Sequence, residues 1–132
     1  MGGRRGVPKP YASLRSTGGA LRFHYGDALD LLARLPAGSI DVIVTSPPYN
    51  LGVRYRSYRD TLPQARYLDW TDEWIAAAAR VLAPQGSLFL NVGATPKRPW
   101  TALDVAQTAR RHLELQNVIH WVKSIAIDRE AA

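Results

Sequence analysis

Cysteine is absent from this 132-residue chain. That excludes a disulfide scaffold, an iron–sulfur centre, a thiolate-held zinc site and a cysteine nucleophile. The three histidines, His24, His112 and His120, stand far apart, so no histidine-ligated metal is expected. No apolar run approaches the roughly 20 residues of a membrane-spanning helix, and the basic start MGGRRGVPKP lacks the apolar stretch of a signal peptide. A cytoplasmic protein without membrane association is the expectation. Acidic residues are missing from the first 22 positions, where Arg4, Arg5, Lys9, Arg15 and Arg22 supply +5 of the net +6. Residues 1–20 read as a disordered basic leader, either a phosphate-binding tail or a merely solvated one. The remainder is close to neutral, so charge alone is thin support for a nucleic-acid partner.

What is present alternates between two periodicities. Leu21–Tyr25 reads as a short strand ending at Gly26-Asp27, and Ala28–Leu35 as an amphipathic helix closed by Pro36 and Gly38. Ile40–Thr45 (IDVIVT) is a β-branched run of the kind found in a strand covered on both faces. It stops at Ser46-Pro47-Pro48, because two prolines cannot continue a central ladder. Leu51–Pro63 is a Tyr/Arg-rich loop. Gln64–Leu82 carries a helical apolar stripe of Leu68, Trp74, Ile75, Ala78, Val81 and Leu82, ended by Pro84 and Gly86. Ser87–Val92 reads as a second buried strand, Trp100–Leu113 as a further crossover helix and Gln116–Val122 as a third strand. Strands alternating with helices specify an α/β fold with a mostly parallel sheet and crossover helices.

Such folds put their sites just beyond the carboxyl ends of the strands. Three strand ends stand out: Gly26-Asp27, Thr45 through Asn50, and Asn91-Val92-Gly93. In the middle one the diproline locks an extended path. The Ser46 hydroxyl and nearby carbonyls become outward-facing acceptors, followed at once by the aromatic plane of Tyr49. Rigid acceptors beside a stacking ring suit the exocyclic amine of an extruded nucleobase. Taken as four residues alone, Ser-Pro-Pro-Tyr reads equally as a turn with a packed tyrosine.

The wider string decides between them. VTSPPYN, preceded by GDALDLLARLPAGSIDVI, resembles the S-adenosylmethionine-dependent amino-methyltransferases that methylate DNA bases at an exocyclic nitrogen. Their motif is Asp/Asn/Ser-Pro-Pro-Tyr/Phe/Trp. The Thr-Ser-Pro-Pro-Tyr form is most similar to the N4-cytosine branch, while the N6-adenine branch usually has Asp or Asn where this chain has Ser46. The segment WTDEWIAAAARVLAPQGSLFLNVG, beginning at Trp70, resembles the family's helix and following strand, and Asn117–Ser124 (NVIHWVKS) a later strand. The resemblance covers about residues 21–124, in the family's permuted order with the catalytic half first.

The resemblance implies a partial Rossmann-like methyltransferase fold and a site-specific DNA methyltransferase acting on cytosine N4, in a restriction–modification or orphan setting. Adenine N6, or a truncated or split-enzyme subunit inactive on its own, are the alternatives. Ser46, Pro47, Pro48 and Tyr49 would be catalytic: Ser46 and the Pro47 carbonyl accept from the target amine, and Tyr49 stacks on the flipped base. Asp27, Thr45 and Ser46 would face S-adenosylmethionine, with Asp27 approaching its adenine amine; Asn91, at a strand end, either faces the same cleft or caps a turn. No metal is implied. Asn50, Arg54, Arg56, Arg59 and Arg66, interleaved with Tyr55, Tyr58 and Tyr67, would contact DNA through phosphates and stacking, or form a mobile, solvated loop. The missing cysteine separately excludes C5-cytosine methylation.

The family's Phe-x-Gly-x-Gly cofactor loop has no counterpart in the sequence, nor has its target-recognition region. Residues 21–132 are therefore expected to be the catalytic half of a methylase domain, with apolar sheet edges left unpaired. The expectation is a chain that is unstable alone or pairs with a second polypeptide. A circular dichroism melt of the isolated chain should lack a cooperative transition above ~50 °C, and a sharp one there would overturn this.

Overall fold

The computed structural model describes residues 6–55 and 58–122. In chain order the elements are β1 (Ala12–Ser16), β2 (Gly19–Phe23), α1 (Ala28–Leu32), β3 (Ile40–Thr45), α2 (Gln64–Val81), β4 (Leu82–Leu90) and α3 (Thr101–Ala109). β3 and β4 pair in parallel, from Val42↔Ser87 to Thr45↔Leu90, with α2 as the crossover between them. β1 and β2 form a separate antiparallel hairpin.

α2 is the mainstay. Its buried residues Tyr67, Thr71, Trp74, Ile75, Ala78 and Val81 recur at helical spacing on one face. Full burial of an apolar side chain such as Ile75 or Val81 is worth about 1.5–3 kcal/mol. The sequence stripe was right except at one turn, where Tyr67 rather than Leu68 points inward. α2 packs against α1 and α3, and Val105 of α3 is buried. Arg80 donates to the Leu35 carbonyl at 3.2 Å and also to that of Leu32, so its guanidinium covers carbonyls at the end of α1.

The helix runs into β4 without a loop, Leu82 turning extended at φ −65° and ψ 137°. Leu82 pairs with Ile40, and then residues 83–86 stand opposite a single residue before the ladder resumes at Ser87. Pro84 has no N–H to give the ladder, which accounts for the irregularity there. A Cβ on Gly86 would lie 3.0 Å from the Ile40 and Ala83 carbonyl oxygens, so only glycine fits where the chain turns back against β3. β4 therefore starts earlier than the expected Ser87, while α1 and α3 end before the expected Leu35 and Leu113.

Three expectations are corrected. Residues 12–20 of the proposed disordered leader are not leader: β1 pairs with β2 around Thr17-Gly18, and Leu14 faces Leu21. The strand expected over 21–25 is thus the second arm of a hairpin ending at Phe23. Its pairing is antiparallel, because the partner precedes it by two residues. Gln116–Val122 forms no strand among the described residues, and Val118, Ile119, Trp121 and Val122 are exposed. β3 is not covered on both faces, since Val44 is 76% exposed and Val42 and Phe89 also face outward. No helix of the described residues is long and apolar enough to cross a membrane.

The α2–α3 contact is also electrostatic. Asp72 of α2 lies 2.8 Å from His112 Nε2 in the turn after α3, with Arg111 at 3.5 Å. The His112 hydrogen bond, followed by the charges of His112 and Arg111, holds the Asp72 carboxyl below its ordinary value of 3.8. A depressed carboxylate pKa adds stability above the unfolded value that is lost as pH falls through the folded one. Asp72→Asn should thus lower the denaturant midpoint at pH 6, and the gap to the unaltered chain should be smaller at pH 3. An equal gap at both pH values would contradict this.

Candidate functional site

Parallel pairing brings the ends of β3 and β4 to one edge. The ladder extends one bond beyond β4, from Asn91 N to the Thr45 carbonyl at 2.9 Å. The next residue of the first strand, Ser46, thereby comes within reach of the Asn91 side chain, whose Nδ2 donates to Ser46 Oγ at 3.3 Å. The diproline carries the chain outward, and Tyr49 folds back so that its hydroxyl is 2.6 Å from Ser46 Oγ. Its ring lies on Gly93: a Cβ there would sit 3.1 Å from Tyr49 Cδ2 and Cε2. The structure thus brings together Ser46, Tyr49 and Asn91, three residues singled out from two separate stretches of sequence.

The two proline carbonyls differ. Tyr67, from the first turn of α2, donates its hydroxyl to the Pro48 carbonyl at 3.0 Å. No donor among the described residues reaches the Pro47 carbonyl, so it stays open as an acceptor. Burial pushes the Tyr67 hydroxyl up to about 12, which keeps it a proton donor at every physiological pH. A serine hydroxyl has one proton and two lone pairs. Asn91 occupies one lone pair of Ser46; when Ser46 gives its proton to Tyr49, the other is free for an incoming N–H. Ser46 and Pro47 can in this way present two adjacent acceptors to an amine.

The remaining expected residues are placed unevenly. Thr45 contributes its backbone carbonyl to the ladder. Asp27 is the N-cap of α1, with Oδ1 accepting from Leu29 N at 2.8 Å. Asn50 departs from its expected DNA-facing role. It is 2% exposed, and its amide is spent on Leu62, donating to the carbonyl at 2.8 Å and accepting from the N–H at 2.7 Å. Arg54 and Arg59 pair across a short antiparallel bridge and are both exposed, without an acidic partner among the described residues. Arg56 lies outside the described residues. The loop tyrosines are less free than expected. Tyr58 packs on Trp70 at 5.1 Å and edge-on to Tyr55 at 6.1 Å, which anchors the loop to α2. Burial, then the nearby Asp60 charge, raises the Tyr58 hydroxyl above its ordinary value. Sequence reasoning missed Asp60 and put Tyr67 in the DNA-facing loop, because a buried acid and a buried tyrosine look in sequence like any loop acid or surface aromatic.

The DNA methylase family, of the N6/N4 methyltransferase type, matches residues 40–131. The type II methyltransferase M.MjaVI of Methanocaldococcus jannaschii is 52% identical over 58 residues, covering 44% of this chain and 30% of its own. M.ScaI of Streptomyces caespitosus is 36% identical over 93 residues, 70% of this chain and 28% of its own. The DNA adenine methyltransferase YhdJ of Escherichia coli is 33% identical over 97 residues, 74% of this chain and 31% of its own. Among solved structures, the PvuII DNA methyltransferase (cytosine-N4-specific) superposes with a TM-score of 0.51 at 27% identity, over 65% of this chain and 32% of that one. The chain thus spans about 28–32% of the length of these proteins, and its α/β architecture is a partial Rossmann-like methyltransferase fold.

Tyr67→Phe removes the donor to Pro48, strands that part-buried carbonyl and should cost about 1–3 kcal/mol at neutral pH. A phenol whose folded pKa is raised from 10 to about 12 contributes stability fully below pH 10 and loses it as pH rises toward 12. The advantage over Tyr67→Phe should therefore shrink between those values in pH-resolved denaturant melts. A constant difference would show that the hydroxyl is not buried as described.

Proposed function

This chain belongs to the DNA methylase family, and from that premise we propose that it carries the amine-recognising part of a cytosine-N4 DNA methyltransferase using S-adenosylmethionine. The observation that supports the reading is the convergence of Ser46, Asn91 and Tyr49 beside the open Pro47 carbonyl. In this reading Ser46 Oγ and the Pro47 carbonyl each accept a hydrogen bond from the exocyclic amine. That draws its N–H bonds into the acceptors and leaves the nitrogen lone pair directed outward. Tyr49 stacks on the extruded base. Positioning and preorganised acceptors are the sources of rate, without a covalent intermediate. Arg54 and Arg59 supply phosphate contacts beside the site.

The residues fit the cofactor at its adenine end. Asp27 keeps Oδ2 unengaged among the described residues beside its capping bond, and Gly26, at φ +149°, has open space where a side chain would stand. Asp27 would hold the adenine amine, and Asn91, whose Oδ1 has no donor among the described residues, would face the cleft. When bound, S-adenosylmethionine supplies an electrophilic methyl group. Type II relatives favour a restriction–modification setting. A second reading, adenine N6, is favoured by the likeness to an enzyme named for adenine.

The deciding experiment incubates the chain, alone and with a polypeptide carrying the Phe-x-Gly-x-Gly loop, with methyl-labelled S-adenosylmethionine and DNA, followed by digestion to nucleosides. Label in N4-methylcytosine is the expected result, and label in N6-methyladenine transfers the case to the second reading. Label in neither, in both mixtures, overturns the enzyme reading. Tyr49→Ala should weaken binding of a single-stranded oligonucleotide by ~1–3 kcal/mol.

A further inference from the structure

Directly after Tyr49, four consecutive backbone N–H groups converge on one residue. Asp60 Oδ1 accepts from Asn50 N at 2.8 Å, and Oδ2 from Leu51 N at 3.0 Å and Val53 N at 2.9 Å. The Asp60 main-chain carbonyl accepts from Gly52 N at 2.8 Å. Asp60 is 2% exposed and forms no ion pair among the described residues. A buried carboxylate persists only where donors replace its lost hydration. Here the loop backbone forms a nest around an anion that the chain itself provides.

The nest closes on both sides. Asn50 takes the left-handed conformation at φ +60°, which Asn tolerates better than most residues, and its amide bonds reciprocally to Leu62. Arg98, from the loop after β4, donates to the Asn50 carbonyl at 2.9 Å. Asn50, the residue that follows Tyr49, is thus held at its N–H, its carbonyl and its side chain, while Tyr67 holds the Pro48 carbonyl on the other side. A ring lying 3.1 Å from where a Gly93 Cβ would stand has little latitude, so a small rotation of its backbone displaces the stacking face.

We propose that Asp60 is a positioning residue for Tyr49: its carboxylate fixes the Tyr49–Asn50 backbone, and through it the tyrosine plane beside Ser46. Among the described residues Asp60 makes no hydrogen bond to Ser46 or to the Tyr49 side chain, and it acts through the chain. The use of that plane for a nucleobase rests on the function proposed above; the geometric action of Asp60 does not. Asp60→Asn keeps the volume but turns an NH2 group against backbone donors, which separates loss of the clamp from loss of packing.

The test uses the full chain in two arms. In the first, NMR follows amide exchange and the contacts of the Tyr49 ring. Asp60→Asn should speed exchange at Leu51 and Val53 at least ~10-fold and weaken the Tyr49–Gly93 contact, with exchange at Ile75 and Val81 unchanged. Unchanged loop exchange, an intact Tyr49–Gly93 contact or equal loosening of α2 overturns the proposal. In the second arm, affinity is measured for a single-stranded oligonucleotide carrying 2-aminopurine, whose fluorescence reports stacking. Asp60→Asn and Tyr49→Ala should each weaken binding ~10-fold, and the double variant should be no weaker than Tyr49→Ala alone. Additive losses, or full affinity despite a loosened loop, overturn the positioning role. Failure of the unaltered chain to bind overturns the nucleobase reading, and the first arm then decides the action of Asp60 by itself.

Discussion

Two strands that pair in parallel must finish on the same edge, and the site depends on that constraint. An antiparallel pair would send Thr45 and Leu90 to opposite ends. Because β3 and β4 run together, Ser46 and Asn91 leave the sheet as neighbours and their side chains meet. The diproline then has a second effect beyond ending β3. It keeps the chain extended for the few residues needed to turn Tyr49 back over Ser46, where Gly93 leaves room for the ring.

α2 converts this edge into a rigid one. The same helix that holds the core through Ile75 and Val81 sends Tyr67 to the Pro48 carbonyl and Trp70 to the Tyr58 ring. It also ties α3 through Asp72–His112 and Gln64–Asp104. Exposed ion pairs such as Arg66–Asp69 at 3.9 Å are worth little, commonly under ~1 kcal/mol. The bonds that fix the site are of the other kind: a buried phenol held neutral and a buried carboxylate filled by backbone donors. Removing one partner of such a bond strands the other away from water, which costs more than the bond itself contributes. The rigid part of the chain is thus its site edge and α2, whereas the outer face of β3 and β4 stays apolar and uncovered.

Local signals in the sequence determined much of this. The β-branched run, the diproline and the apolar period of residues 64–82 set β3, its end and α2, because each is a property of a few adjacent residues. The Ser46–Tyr49 string also carried the family resemblance. Tertiary structure alone decided which acids and aromatics mattered. Asp60 is one of several loop acids until four backbone amides close on it, and Asn50 looked DNA-facing until its amide was spent on Leu62. The same holds for the strands: 116–122 has strand composition but no neighbouring ladder among the described residues, and 12–16 became a strand because 19–23 folded back on it. Hydrogen-bond partners distant along the chain decide such cases, and no window of sequence contains them.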